Sequence, residues 1–264
     1  MTSFRIFGHA AHLGFQDFRV FWTSWRMWLG THVVRVFTTA AMWILLGRLV
    51  ESEEHVRFLL IGQVVILGAQ YTGWTVAAFT WDRMFIGTYP MLVASPSSLV
   101  PVMLGRTSIW LLNGIATSWV TFLILVPVFR LPVSVTQILW VPLAISLVCA
   151  SSYGLAFSIG SIINWVPRLR NIAHNTASIV MMTICGVVVP VAFWPEWVQT
   201  VAFALPVTHG LSSIRLLMAD EFTDKVLVGV VLEAAVGLVW LGLGALILDR
   251  TVNAARRTGA IDLI

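Results

Sequence analysis

Long apolar runs separated by short polar punctuation dominate this chain. Six of them, near residues 27–49, 57–80, 101–127, 137–164, 172–190 and 226–248, reach the length of a membrane span. A hydrocarbon core about 30 Å thick takes roughly 20 helical residues to cross, so the pattern predicts six transmembrane helices. Ahead of the first run, Phe15, Phe18, Trp22 and Trp25 recur at intervals of three and four. Gln16, Asp17, Arg19, Thr23 and Arg26 fill much of the remainder. That spacing predicts an amphipathic helix over 8–26 lying in the membrane interface, with its rings at headgroup level.

One stretch breaks the rhythm. From Gly186 to Arg215 the sequence GVVVPVAFWPEWVQTVAFALPVTHGLSSIR is interrupted by Pro190, Pro195, Pro206 and Gly210. Each proline removes a backbone donor and obstructs the preceding turn. At membrane depth such backbone survives only where protein buries it or a wet cavity adjoins it. The segment is therefore expected to form short broken helices that enter and leave one face of the bilayer, a re-entrant hairpin over 190–215 ahead of the last span. The fold expected is all-α and integral to the membrane, a single transmembrane domain over 1–264.

Composition agrees. Apolar residues make up 58 % and charged residues 11 % of the chain, and mean hydropathy is +0.89, far from the roughly one-quarter charged residues of soluble domains. The net charge of +4 does not point to nucleic acid, because the basic residues follow the membrane topology. With both termini in the cytoplasm, the inner segments hold Arg5, Arg19, Arg26, Arg83, Arg106, Arg168, Arg170, Arg250, Arg256 and Arg257. The outer segments keep only Arg48, Arg57, Arg130, Arg215 and Lys225. This Lys/Arg asymmetry sets the orientation. Cys149 and Cys185 both fall inside predicted spans and read as small apolar packers.

The inner segment after the second span, from Trp81-Asp82-Arg83 into MFIGTYPMLVASPSSLVPVMLGR, is punctuated by Gly87, Pro90, Pro96 and Pro101. A short helix between loops, 81–98, is expected there. As structure alone it is a tight intracellular connection. Two patterns give it more content: Arg83-x-x-x-Gly87-Thr88-x-x-x-Leu92-x-x-Ser95-Pro96, and the run Leu205-Pro206-x-Thr208-His209-x-Leu211-x-x-Ile214-Arg215. In both, and in the order of its elements, the chain resembles the permeases of ABC-2 type exporters. The resemblance implies a transmembrane subunit that pairs with a second permease subunit, identical or paralogous. It also implies two copies of an ATP-binding subunit, which carry the ATP and magnesium. The segment with Asp82, Arg83, Gly87, Thr88, Leu92, Ser95 and Pro96 would couple to that subunit. Pro190, Phe193, Pro195, Pro206, His209, Gly210 and Arg215 would shape the outer hairpin. The setting implied is a bacterial cell membrane, crossed several times.

The chain carries no cofactor chemistry of its own. A P-loop needs a lysine after its glycines, and the only lysine, Lys225, follows no glycine loop. No catalytic motif of a hydrolase or zinc enzyme occurs, and the scattered histidines His9, His12, His32, His55, His174 and His209 offer no metal site. Two charges, Arg35 and Glu233, lie within predicted spans, where ionisable groups are costly and invite a functional reading. Arg35 has the length to reach the inner headgroups. Glu233 either lines a path or is a hydrogen-bonded structural group. Among thirteen tryptophans, most sit at span ends where an interfacial belt explains them. Trp43 and Trp74, within spans, are candidates with Glu233 for a translocation path, or else pack against neighbours. The cargo implied is a hydrophobic or amphipathic small molecule of the drug or antibiotic kind. A lipid-linked glycan or polysaccharide is the alternative, and a non-transporting assembly factor or intramembrane enzyme the alternative of another class.

Overall fold

A computed structural model describes the chain except residues 1–2, 22–23, 50–52, 82, 85–86, 130–132, 220–222 and 259–264; the side chains of residues 21, 43–44, 46–49, 53 and 135 are also outside the description. Among the described residues it is entirely helical: α1 (Ser3–Phe21), α2 (Trp25–Leu49), α3 (Glu53–Thr72), α4 (Thr75–Trp81), α5 (Tyr89–Ala94), α6 (Val100–Val128), α7 (Val135–Ile163), α8 (Arg170–Ile184), α9 (Glu196–Ala204), α10 (Thr208–Met218) and α11 (Asp224–Thr258). Four units are long and apolar enough to cross a membrane: α3 with α4, α6, α7 and α11. The pair α9 and α10, bent by 89°, is either a broken span or a re-entrant loop.

Two of the six expected spans differ from the pattern. In α2 the length suffices, but Arg26, Thr31, His32, Arg35, Thr38 and Thr39 dilute its apolarity. The run 172–190 yields only the 15-residue α8. At 1.5 Å per residue that is about 22 Å, short of the hydrocarbon core. It ends because Gly186 takes a left-handed φ of 84°, which turns the chain aside while the sequence stays apolar.

The bundle is closed by small residues. Glycine lets membrane helices approach backbone to backbone, and α7 meets α11 in this way. A Cβ on Gly154 would lie 2.4 Å from the Gly237 carbonyl, and one on Gly237 would lie 2.7 Å from the Ser151 Cα. Likewise a Cβ on Gly68 in α3 would strike the Ser118 hydroxyl of α6 at 2.1 Å. Around these seams lie two buried clusters. One joins α3, α6, α7 and α10 through Leu60, Val64, Leu125, Ile145, Val148, Leu211 and Ile214. The other joins α4, α5, α6, α7 and α11 through Phe79, Val93, Met103, Phe157, Leu248 and Val252. Helix α1 lies against α6 and is pinned by the Arg106–Asp17 ion pair at 2.8 Å. The α3–α4 unit is almost enclosed by protein, whereas α11 turns most of its surface outwards.

Gly154→Val is expected to force α7 and α11 apart. Overpacking a tight core costs about 1–3 kcal/mol, so detergent-extracted protein should melt several degrees lower. An unchanged melting temperature would mean that this seam does not hold the bundle.

Candidate functional site

The break between α9 and α10 is held by side chains that take up backbone groups on both sides of it. Pro206 supplies no donor and Val207 takes φ 84°, the one non-glycine residue in that region among those described. A β-branched residue there is strained by about 1–3 kcal/mol and persists only where its surroundings dictate it. The carbonyls that end α9 are taken up one by one. Thr208 donates its hydroxyl to Ala202 at 2.6 Å. The His209 imidazole Nε2 meets the Phe203 carbonyl at 3.0 Å, and the Trp240 indole of α11 donates to Ala204 at 2.8 Å.

Two of the free donors at the start of α10 go to a single carboxylate. Val207 N–H donates to Glu233 Oε1 at 2.8 Å, and Gly210 N–H donates to Oε2 at 2.9 Å. Glu233 is completely buried. It caps α10 from another helix, doing what a local Asp or Ser does at an ordinary N-terminus. Gly210 must be glycine here, because a Cβ would come within 2.2 Å of Val148 and 3.1 Å of the Glu233 side chain.

Arg215 fastens the far side of the α9–α10 pair. Its guanidinium stands 3.4 Å from the centre of the Phe58 ring and donates to the carbonyls of Phe58 and Val187, each at 3.3 Å. Pro190 and Pro195 bracket the short turn Val191–Phe193, leaving Phe193 and Trp197 exposed at the hairpin rim. Gln137 of α7 donates to the Leu217 carbonyl at 2.9 Å and holds the end of α10.

A second constellation surrounds α5. Arg256, near the end of α11, donates to the carbonyls of Val93 (2.8 Å), Ser95 (2.7 Å) and Ser97 (2.8 Å), the acceptors that the end of a short helix leaves open. At its other end, the Tyr89 hydroxyl accepts from the Asn164 amide, and Arg83 donates to the Asn164 carbonyl while standing 5.6 Å from the centre of the Tyr89 ring. Burial, only partly offset by the Asn164 bond and the Arg83 charge, pushes the Tyr89 phenol above its ordinary value, so it stays protonated. Ser95 and Ser97 join their hydroxyls at 2.9 Å. Leu92 is half-buried against the cluster under α5, Gly87 takes φ 74°, and Thr88 and Pro96 lie just outside the helix ends. Asp82 lies outside the described residues.

The third group is aromatic. Trp74, at the break between α3 and α4, stacks on Trp110 of α6 at 6.1 Å and meets His174 of α8 at 5.4 Å. One turn earlier, Tyr71 stacks on the buried His32, which in turn packs against Trp28. Arg35 donates to the Gln70 side chain at 3.1 Å and lies 5.0 Å from the Tyr71 ring centre. Arg35 and Glu233 are therefore engaged separately. The side chain of Trp43 is outside the description.

A family model described as ABC-2 type transporter matches residues 18–219, which takes in α5 and the whole α9–α10 break. The chain belongs to the ABC-2 type transporter family. This ABC-2 permease is thus the multi-pass membrane component of an ABC transporter, working with an ATP-binding subunit. No curated protein and no solved structure matches it. Helix α11, with Glu233, Trp240 and Arg256, lies beyond the matched region, yet it supplies the groups that hold both constellations. Of these, sequence reasoning singled out only Glu233. Arg256 reads there as one more inner charge, and Asn164 and Gln137 carry no signal, since their partners, the Tyr89 hydroxyl and the Leu217 carbonyl, lie far away in the chain.

Proposed function

We propose that this ABC-2 permease exports a hydrophobic or amphipathic small molecule, driven by two copies of an ATP-binding subunit that bind ATP and magnesium and dock on α5. A second permease subunit completes the transporter in the cell membrane, with both termini on the cytoplasmic side. The observation that carries the reading is the seating of α5. Six residues long, it is too short to hold itself, yet Arg256, Asn164 and the Phe79–Leu248 cluster fix it to four spanning units. A push on α5 therefore moves the ends of α4, α6, α7 and α11 together. In this reading Glu233 braces the outer hairpin, and the aromatic group around Trp74 fits an apolar or amphipathic cargo.

The test is a mild-detergent pull-down of the tagged chain from its native host, followed by an ATPase assay. A stoichiometric partner bearing a P-loop is expected, with hydrolysis or association that falls when Gly87–Pro96 is altered. A folded chain that brings down no such partner would overturn the reading and favour a non-transporting role.

A further inference from the structure

Arg35 sits ten residues into α2, and Gln70 eleven residues before the end of α4. Their hydrogen bond at 3.1 Å sets the two side chains at the same level of the bundle. The guanidinium is held at its own depth by the Gln70 amide oxygen and the Tyr71 ring, and does not extend towards the headgroups. Gln70 and Tyr71 are uncharged partners, and among the described residues no carboxylate pairs with Arg35. One of its five N–H donors is used, and its side chain is exposed. A charge kept unneutralised within a span is costly. Among the described residues nothing supplies its neutralisation.

The surroundings describe what would supply it. Helix α2 leans on α3 and α6, and α8 leans on α3, α4 and α7, so the two flank the α3 face that carries Gln70, Tyr71 and Trp74. Trp74 and Trp110 add flat apolar surface one turn from the cation, with His174 on the opposite border. A cation beside stacked rings complements a molecule with a planar apolar body and one anionic group. We infer that the cargo bound on this face is an amphipathic anion, its carboxylate, sulfonate or phosphate on Arg35 and its apolar body against Trp74 and Trp110, which are partly exposed where Tyr71 is buried. This rests on the export reading for its purpose, though not for its test.

Binding is read on the permease alone, in nanodiscs of neutral lipid with empty discs subtracted. The probes are 1-anilinonaphthalene-8-sulfonate and N-phenyl-1-naphthylamine, which share a ring skeleton and differ by the sulfonate, and the readout is energy transfer from tryptophan. Wild-type protein is expected to prefer the sulfonate by roughly tenfold, the scale of one charge-assisted contact. Arg35→Gln should abolish the preference while leaving the neutral probe unchanged, and Arg35→Lys, which keeps the charge, should retain part of it. Equal affinity for both probes in wild type, or a preference that survives Arg35→Gln, overturns the inference. If Arg35→Gln does not fold, the wild-type comparison and Arg35→Lys still decide it. In the complex with a P-loop subunit, hydrolysis stimulated by the neutral probe and not by the sulfonate would sink the anionic cargo and leave the export reading standing. Failure to recover any such subunit would do the reverse if the sulfonate preference holds.

Discussion

Glu233→Ala should melt the permease well below wild type and stop export at the same time. The substitution leaves the N–H groups of Val207 and Gly210 buried without an acceptor. Each such orphan costs about 1–3 kcal/mol, so a loss of roughly 2–5 kcal/mol is expected, against a total stability of about 5–15 kcal/mol for a typical folded domain. Val207 makes the loss worse, since its left-handed backbone is held in part by the bond to Glu233. Glu233→Gln should fall between the two, because the amide keeps one acceptor oxygen but turns an NH2 towards the second donor. Thermal unfolding and export, measured on the same preparations, separate this role from that of a path-lining carboxylate. A path residue would lose export with its melting temperature intact. Loss of export by a Glu233→Gln protein as stable as wild type would return Glu233 to the path.

The break between α9 and α10 shows where sequence reading succeeds and where it stops. Pro190, Pro195, Pro206 and Gly210 announce a break because their effects are local: a missing N–H, a blocked turn, a missing Cβ. What makes the break tolerable is not local. Glu233 and Trp240 reach it from a helix more than twenty residues further on, and nothing in their neighbouring sequence says that their partners are backbone groups. A lone carboxylate in an apolar run therefore reads equally well as a path residue or as a structural one. Hydropathy fails for a related reason at α8 and at α3–α4. The run 172–190 stays apolar past Cys185 although Gly186 turns the chain. The run 57–80 gives no sign of the break at Gly73–Trp74, since an interruption inside protein leaves composition unchanged. Conversely, α2 has the length of a span but carries His32, whose ring is taken up by Trp28 and Tyr71, and Arg35, whose partners Gln70 and Tyr71 are uncharged. Patterns report what a segment could bury, and the neighbours decide what it does bury.

Arg256→Ala should uncouple the transporter without unfolding it. The guanidinium makes three hydrogen bonds to carbonyls at the end of α5, but it is only half-buried. Water can replace it there, and the net stability lost should be about 1–2 kcal/mol. What disappears is the tie that makes α5 move as one piece with α11. Coupling energies of about 1–3 kcal/mol correspond to 5–150-fold changes, so cargo moved per ATP hydrolysed should fall by roughly tenfold while basal hydrolysis continues. Arg256→Lys, able to reach fewer of the three carbonyls, should lie between. Arg257→Ala, at an exposed neighbour, should leave the ratio unchanged and controls for the loss of one positive charge. The assay is paired export and phosphate release in vesicles holding the complex. If both rates fall in step, with less ATP-binding subunit retained, Arg256 shapes the docking surface and does not transmit the stroke. If the ratio is untouched, α5 is held well enough by Tyr89, Asn164 and the Phe79–Leu248 cluster, and the drive passes through α4 and α7 alone.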